Sequence, residues 1–317
     1  MRVLVIGGTG LLGQHIIAEL TKRGHEARAL ARRAAPGSAT IVCDVQQASE
    51  DAWSELLDGF DGVAFAAGVD DQHVPRAPAE QYFLEGNVEP LRRLLPAARR
   101  AGCRSVVVCG SYFSTLDRSH PQWRLAERHP YIRSRVSQSQ LATQQTDDLP
   151  TVAVLEIPFV FGSAEGRRPL WAPVVPWLRS RLPLLAPAGG TAVAAAVTIG
   201  QAAAGALERA AGGRFPVADT NLAWRDLIAN LAAAAGRREP AVHRLPSAVA
   251  RPALRSTAPR YRLTGREPGL TPRWLPDLLL SELFLDESIC RTELGVTGGD
   301  LDLAFHDTIA ASLRPGS

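Results

Sequence analysis

Lysine is almost missing from this chain: Lys22 is the only one in a Lys+Arg total of 35, so nearly every positive charge is an arginine. Cysteine is scarce, and the four at 43, 103, 109 and 290 show neither metal-ligand nor redox spacing, so no metal site is expected. Cys43 and Cys109 fall in expected strands, where thiols serve as small buried hydrophobes of a reducing compartment. Charge of one sign is missing too: 35 basic against 32 acidic residues leave a net charge of +3. Without a basic arm or an aromatic-interleaved stripe, a nucleic-acid partner is not expected. Apolar runs are broken by Gly, Pro or charge before they could span a bilayer, which argues against a membrane partner. Met1-Arg2 leads into a strand too short and too soon glycine-interrupted for a signal peptide, so a cytoplasmic location is expected. The remaining balance, 46% hydrophobic and 21% charged over 317 residues, suits one large α/β unit with a smaller lobe.

What is present is concentrated at the start. An apolar run at 3–6 reads as a buried strand and meets Gly7, Gly10 and Gly13, followed by an amphipathic segment from 14 to 23. In that order each glycine has a task. Gly7 turns the chain out of the strand, Gly10 lets backbone amides approach a pyrophosphate, and Gly13 lets the helix pack closely. The helix N-terminus then offers free N–H groups and a positive dipole end to phosphates. Strand, glycines and helix together point to a dinucleotide site.

Strands and helices alternate through the first half, the pattern of a Rossmann-type, doubly wound parallel sheet. Strands are expected at 26–31, 40–43, 62–67, 105–109 and 151–155. Helices are expected at 53–57, 131–145 and, kinked by Pro90 and Pro96, at 79–101. Beyond Gly162 the pattern loosens, with helices expected at 201–211 and 223–235 and a strand at 214–218. Residues 236–276 read as a Pro/Arg-rich connection and 286–313 as a final turn-and-helix unit. The division expected is a dinucleotide-binding core at 1–162, completed by about 191–220. Residues 163–190 and 221–317 would form a smaller, mostly C-terminal substrate lobe.

Arg32 and Arg33 follow the second strand, where a dinucleotide fold faces the adenosine ribose. An acid there would suit the 2′-hydroxyl of NAD, whereas arginine accommodates the 2′-phosphate of NADP. NADP is therefore favoured over NAD, the alternative being two solvated loop charges in an arginine-rich chain. Asp44, ending the third strand, is either an acceptor for the adenine amino group or a turn residue.

The chain resembles the extended short-chain dehydrogenase/reductase family, its NAD(P)-dependent epimerase/dehydratase group in particular. Gly7-Gly8-Thr9-Gly10-Leu11-Leu12-Gly13, Cys43-Asp44-Val45, Ala66-Ala67-Gly68, Asn87-Val88 and Ser111 carry the likeness. So do Pro130-Tyr131 through Ser134-Arg135, Pro158 through Phe161-Gly162, and the stretch from Phe284-Leu285-Asp286 to Glu293-Leu294-Gly295. The resemblance implies that Gly7, Thr9, Gly10, Leu11, Leu12, Gly13, Arg32, Arg33, Asp44, Val45, Ala66, Ala67, Gly68, Asn87, Tyr131, Arg135 and Pro158 line the cofactor. It also implies that Ser111 orients the substrate oxygen and that Tyr131 is the general acid/base. Where the family has a lysine four residues after the tyrosine, this chain has Arg135. Residues four apart share a helix face, so the cation still sits beside the phenol. Lowering a phenol by roughly three units from ~10 takes about 4 kcal/mol, which that cation and a nicotinamide could provide. Arginine is bulkier and flat, so the replacement is not neutral.

Three readings follow. The first is an NADP-dependent oxidoreductase, epimerase or dehydratase acting on a carbonyl or carbinol of a small, fairly apolar metabolite. The second, motivated by Arg135, is an NADP-binding sensor or regulator without turnover. The third is a redox-neutral lyase or cyclase using the same pocket. After the sixth strand, Phe159, Phe161, Trp171 and Trp177 offer apolar area to a substrate and Arg167, Arg168, Arg179 and Arg181 offer charge. His129 is either a proton donor or, more in keeping with its place before a helix, a cap or surface residue. Asp70-Asp71 and Asp147-Asp148 read as solvated loop charge. The resemblance also implies a homodimer through helices near 79–101 and 131–145, where Leu84, Leu91, Leu94 and Leu95 are expected to be partly exposed.

Overall fold

The computed structural model describes residues 1–34, 39–144, 150–255, 261 and 263–314. The pair Asp147-Asp148 and the end of the helix expected at 131–145 lie outside these residues. Strand β1 (Arg2–Ile6) feeds α1 (Leu11–Lys22), then β2 (Glu26–Ala31), β3 (Ile41–Val42), α2 (Glu50–Leu57) and β4 (Gly62–Phe65). Helices α3 (Ala79–Asn87) and α4 (Glu89–Arg100) lead to β5 (Ser105–Cys109). Helices α5 (Phe113–Ser119), α6 (Leu125–Arg128) and α7 (Pro130–Ala142) lead to β6 (Thr151–Glu156) and β7 (Phe159–Phe161). Next come α8 (Val175–Arg179), β8 (Leu184–Ala186), β9 (Gly190–Ala195), α9 (Ala196–Glu208), β10 (Gly213–Pro216) and β11 (Thr220–Ala223). Helix α10 (Trp224–Ala234), β12 (Val242–Arg244) and α11 (Ser247–Arg255) follow, then helix Leu275–Leu279, β13 (Glu282–Leu283) and helices Ser288–Leu294 and Leu301–Leu313.

Seven strands form one parallel sheet in the order β10-β6-β5-β4-β1-β2-β3. This is the expected Rossmann-type sheet. Strand β4, β1 after Arg2 and β5 after Ser105 are apolar because both faces are covered, and alternate residues serve opposite cores. Leu4, Ile6, Val63, Phe65, Val106 and Val108 face the core shared with α2 and α4. Val3, Val5, Ala64 and Val107 face the core shared with α1 and α9. Leu4 has no accessible surface, so its burial stabilises the fold by roughly 1.5–3 kcal/mol. The strand order reverses between β1 and β4, and the loops leaving these two strands part there. Folds of this kind bind their ligands in that crevice.

A second sheet is centred on β9, which pairs with β11, β13 and β7. Strand β9 lies in the stretch expected to complete the first sheet, but only α9 and β10 return to it. A third cluster, including Phe161, Trp224, Leu227, Leu283 and Phe305, packs this second region.

Three expectations are corrected. The helix read at 79–101 is two helices joined at Val88, with Pro90 in the first turn of the second. Proline has no N–H for the preceding turn and restricts the residue before it, so a new helix starts where a kink was expected. Leu91, Leu94 and Leu95 are fully buried against the sheet rather than partly exposed, and Leu84 is half-buried. That helix therefore carries no apolar seam of leucines facing outward. The stretch 236–276 is not mere connection, since it holds β12, α11 and the start of Leu275–Leu279. Among the described residues no helix is long and apolar enough to cross a membrane.

Candidate active site

The glycine turn is built by steric necessity. Gly7 has φ +82°, and a Cβ there would sit 2.8 Å from the Ala66 carbonyl. A Cβ on Gly13 would lie 2.2 Å from the Gly7 carbonyl oxygen, so α1 is pressed onto the turn itself. The Gly7 and Gly8 N–H groups both donate to Leu30 O, at 2.8 and 3.2 Å, which ties the turn to β2. Gly10 is the N-cap of α1, with no capping side chain and no acid in the first turn. The helix thus leaves its first amides free beside a positive dipole end, a cradle that fits a diphosphate.

From this turn a cleft of about 1110 Å³ runs across the C-terminal strand ends. Its first part is lined by Gly7, Thr9, Gly10, Leu11, Leu12, Arg32, Arg33, Asp44, Val45, Ala66, Ala67 and Gly68. Gly13 stays behind this wall as packing. Arg32 and Arg33 are exposed. Asp44 is a turn residue, accepting from the Gln46 N–H at 3.1 Å, and also faces the cleft.

Midway along, Ser111, Tyr131, Arg135 and Pro158 come together on the same wall. Tyr131 sits in the first turn of α7, and its N–H donates to Gly269 O at 3.1 Å. Its ring meets Phe83 and Phe113 edge-on, with centroids 5.5 and 6.2 Å away. One turn later Arg135 places its guanidinium carbon 5.8 Å from the Tyr131 ring centre. It donates to the Cys109 and Gly110 carbonyls, each at 3.3 Å, and to Gln138 Oε1 at 3.0 Å. Arg135 Nε is buried with no hydrogen-bond partner among the described residues. Asn87 is fully buried behind the cleft: it accepts from the Val69 N–H at 2.9 Å and donates to Val69 O and Ser134 Oγ. It braces the loop after β4 and does not line the cleft.

The electrostatics reverse one expectation. Burial, opposed by Arg135, pushes the Tyr131 phenol above its ordinary value, with Asp71 and Asp70 adding to the rise and a hydrogen bond with Ser111 opposing it. Desolvation in a closed site outweighs one neighbouring cation. Asp71 is not plain solvated charge: it is half-buried, lines the cleft, and burial raises its carboxyl despite Arg135. Its place three residues after the Ala-Ala-Gly at the end of β4, where such folds put ligands, was the signal available in the sequence. Tyr112, also lining the cleft and raised by burial, escaped notice as well, since it reads as the neighbour of Ser111. His129 is 1% exposed, neither a surface residue nor on the cleft wall. It is the N-cap residue of α7, yet its Nδ1 accepts from the Thr271 N–H at 2.9 Å, and burial drives its pKa to about 4.

Beyond Tyr131 the cleft turns apolar. Tyr112, Phe159, Trp171, Leu270, Leu278 and Leu283 line it, drawn from widely separated segments. Of the residues read as substrate-facing, Phe159 and Trp171 are on this wall, while Arg167 and Arg168 line the cleft as well, Arg167 at the glycine turn against Thr9. Phe161 is buried under the stacked Trp171, the Trp177 indole donates to Pro183 O, and Arg179 and Arg181 are exposed elsewhere.

The fold has known counterparts. The chain belongs to the NAD-dependent epimerase/dehydratase family, whose model matches residues 3–177. A 3-beta-hydroxysteroid dehydrogenase of Mycolicibacterium neoaurum is 30% identical over 118 residues, 35% of this chain and 32% of that protein. The chain thus matches about a third of that relative's length. The crystal structure of gox2253 superposes with TM-score 0.75 at 21% identity, covering 98% of this chain and 97% of that one. The human epimerase family protein SDR39U1 with NADPH gives TM-score 0.69 at 18% identity, covering 98% and 99%.

Proposed function

We propose that this protein is an NADP-dependent oxidoreductase of the epimerase/dehydratase type, acting on a carbonyl or carbinol of a small, apolar substrate. One observation carries the reading: a single cleft joins the glycine turn and Arg32–Arg33 to Ser111 and Tyr131, and only then becomes apolar. When bound, the nicotinamide dinucleotide supplies or accepts hydride at the substrate carbon. Ser111 orients the substrate oxygen, and the Tyr131 hydroxyl hands it a proton on reduction, its phenolate taking one back on oxidation. A phenol held above its ordinary value rests as the proton donor, which suits the reducing direction at neutral pH. Arg135 is anchored on the β5 carbonyls and opposes that rise. Phe83 and Phe113, whose rings meet Tyr131 edge-on, keep the phenol ring buried.

Arg32 and Arg33 support NADP over NAD, because two guanidinium groups at that strand end suit a 2′-phosphate. A steroid dehydrogenase among the relatives accords with an apolar substrate, and solved neighbours carry NADPH in one case and NAD in others. The apolar wall beyond Tyr131, built from Tyr112, Phe159, Trp171, Leu270, Leu278 and Leu283, supports an apolar substrate. A fluorescence titration with NADPH and NADH, followed by NADPH oxidation against a panel of alicyclic and aromatic ketones, tests the proposal. Tighter NADPH binding and ketone-dependent oxidation are expected. The raised phenol also favours a second reading, an NADP-binding protein without turnover, which tight binding with no oxidation of any ketone would support.

A further inference from the structure

Residues 163–168, which follow β7, lie across the N-terminal end of α1. His15 Nε2 lies 3.0 Å from Ser163 O. Gln14 clasps Glu165 twice, accepting from its N–H and donating to its carbonyl, each at 2.9 Å, and its amide also reaches Thr9 O at 3.1 Å. Arg167 then comes down on the glycine turn. Its Nε donates to Thr9 O and its Nη2 to Thr9 Oγ1, both at 3.0 Å. Arg168 faces the same cleft.

Charge makes this placement informative. The free amides of α1 already give this spot a positive field, and no acid occupies the helix's first turn. Among the described residues neither Arg167 nor Arg168 pairs with a carboxylate. Positive groups gathered around a phosphate cradle, with neither arginine paired to a carboxylate among the described residues, call for an anion from outside. An arginine already aligned by two bonds loses little side-chain freedom when a third partner arrives.

We propose that Arg167 is a diphosphate-binding residue of the dinucleotide site, supplied by the loop after β7 and held in place by Gln14 and Thr9. The proposal rests on the cofactor reading above and adds to it a cation from outside the glycine motif. It also links cofactor binding to the substrate wall, because the same loop continues into Trp171.

The test is fluorescence titration of the wild type, Arg167→Ala, Arg167→Lys, Gln14→Ala and Arg181→Ala with NADPH and NADH. Circular dichroism checks that each variant is folded. Arg167→Ala is expected to weaken both dinucleotides by the same factor, about tenfold or more, since charge-assisted bonds to a diphosphate are common to both. Arg167→Lys should recover part of the loss, Gln14→Ala should show a smaller loss, and Arg181→Ala none. Competition with adenosine 2′-monophosphate, which carries no 5′-phosphate, should be unchanged in Arg167→Ala. Wild-type affinity in Arg167→Ala, or an equal loss for adenosine 2′-monophosphate, overturns the proposal and leaves the cofactor reading intact. If the wild type binds neither dinucleotide, the cofactor reading falls and this proposal with it.

Discussion

The cofactor-facing half of the cleft comes mostly from the ends of consecutive strands, whereas the substrate-facing half is gathered from β7, the loop at 270 and the segment 278–283. The first works through backbone: a positive-φ glycine, free helix amides, and carbonyls that cannot tolerate a Cβ nearby. The second works through side-chain area, with Phe159 and Trp171 5.5 Å apart and leucines closing the far side. Backbone demands leave a fixed spacing in the sequence; apolar area can be supplied by many residues in many places. Tyr131 stands where the halves meet, its N–H tied to Gly269 of the second and its helix packed on the first.

Because of that junction, Tyr131→Phe should produce the largest effect. Turnover is expected to fall by about 10²–10⁴-fold while NADPH affinity stays at the wild-type value, read by steady-state kinetics and titration. A change confined to the cofactor half comes next: Arg32→Ala should weaken NADPH by about 10–100-fold and leave NADH unaffected. Acidification should loosen the second half first. With His129 near 4 instead of its usual 6.5, the neutral form is the one the fold favours. Its contribution is complete above pH 6.5 and is lost as pH falls toward 4, about 3 kcal/mol in all. Urea unfolding across that range should show the loss, and His129→Gln should flatten it. Smallest is Trp171→Ala, expected to raise KM for an apolar ketone by about tenfold with dinucleotide binding unchanged.

The same contrast explains what could be read from sequence. Gly7 and Gly13 announced the turn because no other residue fits, and the strands at 26–31 and 105–109 were legible to the residue. Ser111, Tyr131 and Arg135 followed from family spacing, and the cleft brings them together. Hidden were β9 and β11, whose alanines and small residues carry no clear period, and Leu270, Leu278 and Leu283, which look like any core leucine until the chain folds. Tyr131's raised phenol was also invisible, since Arg135 beside it in the helix says nothing of how dry the site is or that Asp71 faces it. Asn87, read as a cofactor neighbour, turned out to brace Val69 because only tertiary contact shows which way a helix's polar face looks.

The central claim is that one cleft binds a nicotinamide dinucleotide and that Tyr131 moves the proton. Its most direct measurement is loss of reduced-nicotinamide absorbance when NADPH and the best ketone of the panel are mixed with wild type and with Tyr131→Phe. The account predicts steady oxidation by the wild type, and almost none by the variant, at matched NADPH occupancy. Undiminished oxidation by Tyr131→Phe would contradict it.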